Sequence, residues 1–307
     1  MPTYLVQNTK LKGMLQSGKD DSGDQKKREI PVRQEKLVID TQDGPPRHKI
    51  QLKKVGVKNL KTFLMTEKGG LRHHIIAKVE LTIDLPADTK GVHMSRLVES
   101  MTEIISDEFS LHKSIEEIQM HILNALREKH AFNRGEIKFD FEFGYTSKTP
   151  VSKKRTWEVC DVTSITTKEN GKSFVHDISV KVVGNTVCPH CMANNSGLTH
   201  MQRAIGTLRV VGSTDQVPSY GSMIEVVENS FSSKTYSLLK LEDELLVTKQ
   251  MHNNPLFVED VCRNILQHAS EVYKDRTLEM FAEAQSLESI HKHDVIAEGK
   301  LVTNGLD

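Results

Sequence analysis

Two of the chain's four cysteines lie in the stretch Thr186-Val-Cys-Pro-His-Cys-Met-Ala-Asn-Asn-Ser-Gly-Leu-Thr-His-Met-Gln-Arg203. Cys188 and Cys191 flank His190, and His200 follows Cys188 by twelve residues. A thiolate and an imidazole joined by a polar Asn-Asn-Ser-Gly loop can converge on one soft or borderline metal ion. Pro189 and Gly197 argue against long regular structure between them, which places both ligands on a loop between ordered elements. The same spacing also admits a redox pair, half of a structural zinc site, or two unrelated thiols. A metal reading therefore needs partners from elsewhere in the chain.

Four places offer them. Glu244 sits in Leu241-Glu-Asp-Glu-Leu, between a polar segment and an apolar pair; a solvated acidic patch is the alternative. His291-Lys-His293 precedes the last apolar run, and residues at i and i+2 of an extended segment point the same way. Glu259 falls at position five of a helix opened by Asn254-Pro255, beside the apolar stripe of Val258, Val261, Ile265 and Leu266. A partly buried carboxylate there wants a donor, either a protein cation or the amide edge of a ligand. Lys90, His93 and Arg96 cluster where a strand gives way to a helix, an anion cradle if they face a cleft and solvated charge if they do not. Together these residues suit metal-assisted hydrolysis of a phosphorylated purine.

The elements that must position them are legible from periodicity. Ile50–Val57 and Leu71–Leu85 read as strands, the second with Ile75, Ala77, Val79, Leu81, Ile83 and Leu85 on one face. Pro86 ends that strand, and a helix opens through Lys90–Arg96 and runs to about Ile105. A second helix begins at the capping box Ser114–Glu117, with Ile115, Ile118, Ile122 and Leu126 as its stripe. Two strands follow: Ile137 to Tyr145, then Thr156–Thr166, which ends at an Asn170-Gly171 turn. The second half repeats the order with strands over Phe174–Val183 and Ala204–Val211. A short helix capped by Ser222 and Glu225 comes next, then the Asn254-Pro255 helix, then strands over Thr277–Ala284 and Val295–Val302. Each half reads ββααββ, over about 47–168 and 172–303. The fold class is α+β, with mixed antiparallel sheet and helices on one face.

Composition sets the remaining bounds. Residues 1–36 form a polar tail too poor in apolar groups to offset chain entropy, leaving 37–307 as the ordered domain. Forty-one basic and forty-one acidic residues cancel, which argues against a protein devoted to nucleic acid or an anionic membrane. No apolar run approaches the ~20 residues needed to span a bilayer. The opening Met1-Pro-Thr-Tyr-Leu-Val-Gln lacks the regions of a signal peptide. Few cysteines in a long chain fit a reducing compartment, so the expected location is cytoplasmic.

An ordered set of short blocks carries a resemblance. Leu85-Pro-Ala-Asp-Thr-Lys-Gly-Val-His-Met-Ser-Arg96, Cys188-Pro and Thr199-His-Met-Gln-Arg203 come first. Leu238-Leu-Lys, Asp243-Glu244, Asn254-Pro, Phe257-Val-Glu-Asp260 and Glu288-Ser-Ile-His291 follow. From about residue 40 to 300 the chain resembles the metal-dependent type IB GTP cyclohydrolases, and its overall length and the Asp40–Val57 segment look closer to the archaeal branch that serves methanopterin synthesis. The resemblance implies a tunnelling fold of two tandem ββααββ units, assembled as a homotetramer (a dimer of dimers) with active sites between subunits. It implies GTP as substrate, Cys188, His200 and Glu244 as metal ligands, and His291 or His293 as the closing one. Fe(II) is the implied metal, with Mn(II) or Zn(II) suiting the same donors. It matches Glu259 to the anchor of the guanine base, and Lys90, His93, Ser95, Arg96 and Arg203 to the phosphate and ribose side. Catalytic proton transfer falls to His200, His291 or His293, with Cys188 at the metal. The implied product is 7,8-dihydroneopterin 2′,3′-cyclic phosphate, with formate released.

Two departures stand out. The family's Cys-Pro-Cys is here Cys188-Pro-His190, with the second thiol at Cys191, and the Asn usual after the histidine is Met201. Three rival readings remain: a folate-type enzyme that keeps the triphosphate, a nitrile reductase of the same fold, and a non-enzymatic module built on a closed zinc site.

Overall fold

The computed structural model describes residues 41–42, 44–68, 71–106 and 114–305. The polar tail expected over 1–36 lies outside the described residues. Strict alternation builds the long strands. In β2 (Leu71–Leu85) the residues Ile75, Ala77, Val79, Leu81, Ile83 and Leu85 are all buried, and in β3 (Arg134–Lys148) so are Ile137, Phe139 and Phe141. Each Val, Leu, Ile or Phe among them taken out of water contributes ~1.5–3 kcal/mol. β1 (Leu52–Lys68) runs eleven residues past the expected Val57. A register shift between Val57 and Leu60, with Asn59 at φ 62°, breaks the alternation that would have marked its second half. β4 (Arg155–Glu169) turns through Asn170 and Gly171 (φ 73°) into β5 (Val175–Val187), as the Asn-Gly pair requires.

The sheet continues through β6 (Met201–Gly212), β8 (Thr277–Ser286) and β9 (Val295–Asn304), with the two-residue β7 (Ser233–Lys234) paired to β5. Its order is β1-β2-β3-β4-β5-β6-β8-β9, every pairing is antiparallel, and β1 and β9 are its edges among the described residues. The helices cover one face. α1 (Met94–Ser106) and α2 (Ile115–Lys129) pack over β1, β3 and β4; α4 (Tyr220–Glu228) and α6 (Val258–Val272) pack over β5, β6, β8 and β9. α2 starts at the expected capping box: Ser114 Oγ accepts from Glu117 N at 3.2 Å, and Glu117 Oε2 from Ser114 N at 2.7 Å. The opposite face leaves Phe63, Ile76, Trp157 and Val159 exposed.

The second half departs from the expected order in four places. α3 (Pro189–Asn194) lies inside the β5–β6 connection, and α5 (Leu241–Asn253) stands between α4 and α6. Only Asp243, Val247 and Met251 of α5 are buried, so its apolar period is too sparse to announce a helix. α4 is capped by Ser219, whose Oγ accepts from Ser222 N at 3.4 Å, rather than by Ser222 itself. Asn254 does not open α6: it is the C-cap of α5, and α6 begins at Val258 after Phe257.

A buried polar chain joins the halves. Glu116 accepts from Tyr220 Oη and from Ser164 Oγ, Gln119 bonds Ser164 and Thr166, and His176 bridges Thr166 and Thr214 at 2.9 Å each. Burial holds the His176 imidazole below its usual range, against a smaller opposing pull from Glu116.

One close approach fixes the strap leading to α5. A Cβ on Gly184 of β5 would meet the buried Phe231 ring at 2.2 Å, and one on Gly206 of β6 would meet it at 2.9 Å. Gly184→Ala is expected to destabilise the protein by ~1–3 kcal/mol through overpacking. Urea unfolding of the variant checks this, and an unchanged midpoint would contradict the packing.

Candidate active site

β5 ends at Val187 and β6 begins at Met201, its partner across the hairpin. Cys188 and His200 therefore stand opposite each other at the mouth. Cys188 N donates to His200 O at 3.3 Å, and Thr199 Oγ1 donates to Cys188 O at 2.8 Å. Cys188 is the N-cap of α3, and its Sγ accepts from Cys191 N at 3.4 Å. Cys191 Sγ turns toward Leu198 O at 3.7 Å. The chain returns to β6 through Ser196 (φ 48°) and Gly197 (φ 87°), and Gly197 needs its freedom there. Cys188 and His200 are both half-buried.

His200 is tied to a polar group on neighbouring strands. Its Nδ1 lies 2.9 Å from Gln202 Oε1 and 3.9 Å from Glu288 Oε2. Gln202 Nε2 donates to Thr186 Oγ1 at 3.2 Å, Ser286 Oγ at 3.2 Å and Glu288 Oε1 at 3.3 Å. Glu288 follows β8, where Leu287 N bonds Arg203 O at 2.9 Å and keeps the segment against β6.

Glu244 is exposed on the first turn of α5, and its neighbour Asp243 is fully buried. Asp243 accepts from Val151 N at 2.8 Å, Ser152 N at 2.9 Å, Ser152 Oγ at 2.6 Å and Lys240 N at 3.0 Å, which ties the β3–β4 turn to the start of α5. Burial alone would raise this carboxyl, but those hydrogen bonds hold it well below the usual carboxylate range. A folded-state value below the unfolded one contributes stability in full above the ordinary value of about 4, and that contribution is lost as pH falls through the depressed one. Asp243→Asn is thus expected to lower Tm at neutral pH by about 5 °C. The gap from wild type should close in strong acid. Thermal melts across that pH range check both expectations.

Glu259 is exposed, not partly buried as the sequence suggests, because it is the second residue of α6 rather than the fifth and projects from the helix end. Its place in the fold is nonetheless beside the hairpin mouth: Leu256 N donates to Val187 O at 3.1 Å. His291 and His293 lie between β8 and β9 at the same end, both exposed, with rings stacked at 5.1 Å. Arg203, exposed on β6, is also there.

Lys90, His93, Ser95 and Arg96 are elsewhere. They follow β2, at the end of the sheet where β3 starts, β4 finishes and β5 starts. Lys90, Ser95 and Arg96 are exposed, and the half-buried His93 stacks on His130 with ring centres 5.7 Å apart. The thirteen residues of β5 alone separate the two ends by roughly 40 Å at about 3.3 Å per residue. One chain therefore does not gather the whole sequence-derived set. Nor, among the described residues, do three or more His, Cys, Asp or Glu side chains converge as a metal group.

The architecture is shared with the uricase from Arthrobacter globiformis, a tunnelling-fold protein. The two align with a TM-score of 0.52 at 9% identity, covering 84% of this chain and 96% of the uricase. The sequence pattern described as type I GTP cyclohydrolase folE2 matches residues 38–297. The chain belongs to the type I GTP cyclohydrolase family. The GTP cyclohydrolase MptA of Pyrococcus abyssi is 44% identical over 267 residues, covering 85% of this chain and 99% of its own. That of Thermococcus kodakarensis is 42% identical over the same length, with the same coverage.

Two positions of this type I GTP cyclohydrolase chain escape a reading of isolated motifs. Gln202 lies two residues beyond His200, and strand alternation would have put both on one side of β6. Asp243 precedes Glu244 in the sequence, but only the fold reveals it as the anchor of the helix that carries Glu244.

Proposed function

We propose that the chain opens the guanine imidazole ring of GTP, releases C8 as formate, and closes the rearranged ribose to 7,8-dihydroneopterin 2′,3′-cyclic phosphate with loss of pyrophosphate, as a step of methanopterin-type pterin synthesis. The observation that carries this reading is 44% identity to an archaeal GTP cyclohydrolase MptA across 99% of that protein.

The donors at the hairpin mouth fit a borderline divalent ion: a thiolate held by a backbone N–H, and an imidazole whose Nδ1 is engaged by Gln202. Cys188, His200, Glu244 and one of His291 and His293 would hold it. Fe(II) is the ion we favour, with Mn(II) and Zn(II) as substitutes. Such an ion supplies a water activated near neutral pH. Glu259 accepts from the ring N–H and the amino group of guanine and so fixes the base. Arg203, with Lys90, His93, Ser95 and Arg96, meets the ribose and phosphates. His200, His291 or His293 moves protons to and from the ring nitrogens.

A site drawn from separate ends of the sheet is, in this proposal, shared between chains. In this reading the two halves act as tandem ββααββ units, and a homotetramer brings the Lys90–Arg96 end of one copy to the Cys188 end of another. Exposed Leu198, Leu241, Leu245, Phe257 and Ile290 at the Cys188 end support such a contact. Among the described residues no helix is long and apolar enough to cross a membrane.

The test is anaerobic incubation of metal-stripped protein with GTP and Fe(II), Mn(II) or Zn(II), following formate and the fluorescence of oxidised pterin. Formate with the cyclic phosphate is the expected result. Formate with a triphosphate product would move the chain to the folate-type reaction, and no formate with any metal would overturn the proposal.

A further inference from the structure

The hydrogen bonds around Gln202 carry more than packing. Ser286 Oγ lies 2.7 Å from Glu288 Oε1 and gives that carboxylate its single proton. Toward Gln202, then, both Ser286 Oγ and Glu288 Oε1 offer lone pairs only. The Gln202 amide nitrogen must face them, at 3.2 and 3.3 Å, so its oxygen faces His200. An amide oxygen 2.9 Å from an imidazole nitrogen requires a proton on that nitrogen. Thr186 and Ser286, each 1% exposed, close the group from below.

We infer that Gln202, oriented by Ser286 and Glu288, is a positioning residue that fixes His200 in the Nδ1-protonated tautomer and presents its bare Nε2 at the hairpin mouth. The tautomer follows from hydrogen bonds alone. Its use, to hold a metal ion or accept a proton through Nε2, rests on the function proposed above. Three strands contribute to the device: β5 through Thr186, β6 through His200 and Gln202, and the end of β8 through Ser286 and Glu288. Ring orientation at the mouth is thereby coupled to the register of the sheet.

Long-range 1H–15N spectra of the full-length, metal-free protein labelled with 15N-histidine read the tautomer directly. His200 is expected to show a protonated Nδ1 and an unprotonated Nε2, and the reverse assignment overturns the inference. Glu288→Gln, nearly isosteric, removes the acceptor-only group and frees the Gln202 amide to turn. With the fold retained by circular dichroism, His200 should then become a mixture of tautomers, and Zn(II) affinity by chelator competition should fall ~10–100-fold. Gln202→Leu should produce the same two changes. An unaltered tautomer in both variants overturns the inference. The expected tautomer in a wild-type protein that binds no Zn(II) would uphold the positioning and remove the metal reading instead.

Discussion

Cys188→Ser is expected to abolish formate release from GTP, to below about 1% of wild type, and to weaken divalent metal binding by about 100-fold or more. The sulfur is a soft donor at the hairpin mouth, and it is held at the N-cap of α3 by the Cys191 N–H. A serine hydroxyl can take that N–H as a cap, so the hairpin should survive. It cannot ionise near neutral pH, and it presents a harder, shorter donor to the ion. Structure and chemistry should therefore separate: melting close to wild type, with metal content and turnover lost together. Metal analysis and the formate assay on one preparation decide the matter. Full metal content and an unchanged rate in the variant would remove Cys188 from the site.

Glu259→Gln carries the second large effect. In the proposed complex both carboxylate oxygens accept, one from the guanine ring N–H and one from the exocyclic amine. Glutamine keeps the shape but turns one acceptor into a donor aimed at a donor, and it discards the charge that strengthens both bonds. Loss of GTP affinity by about 100-fold or more is expected. Stability should hardly move, because Glu259 is exposed and gives up only a favourable charge at the start of α6, worth ~0.3–1 kcal/mol. Titration with GTP beside a melting curve separates the two terms. Undiminished GTP binding would take Glu259 out of base recognition.

Legibility in the sequence followed the range of the interaction concerned. The alternation from Ile75 to Leu85 and the Ser114–Glu117 box are short-range patterns, and the structure contains both. α5 was hidden because it buries one side chain per turn, and the far half of β1 because a bulge at Asn59 shifts its phase. Asn254-Pro255 looks like a helix start, yet Asn254 ends α5, since asparagine suits either end of a helix. The site divides in the same way. Cys188 and His200 are twelve residues apart and meet through one hairpin, so spacing finds them. Thr186, Ser286 and Glu288, the groups that orient Gln202, lie 16 to 86 residues from it, and only the sheet register brings them together.

The two-ended arrangement of the sheet has a genetic consequence. If the Lys90–Arg96 end of one copy completes the Cys188 end of another, a defect in one end spoils only the sites to which that end contributes. A protein carrying Arg96→Ala and one carrying Cys188→Ser would each be inactive alone. Co-expressed, they would form mixed assemblies in which some sites inherit both intact ends, so two broken alleles would complement each other within one oligomer.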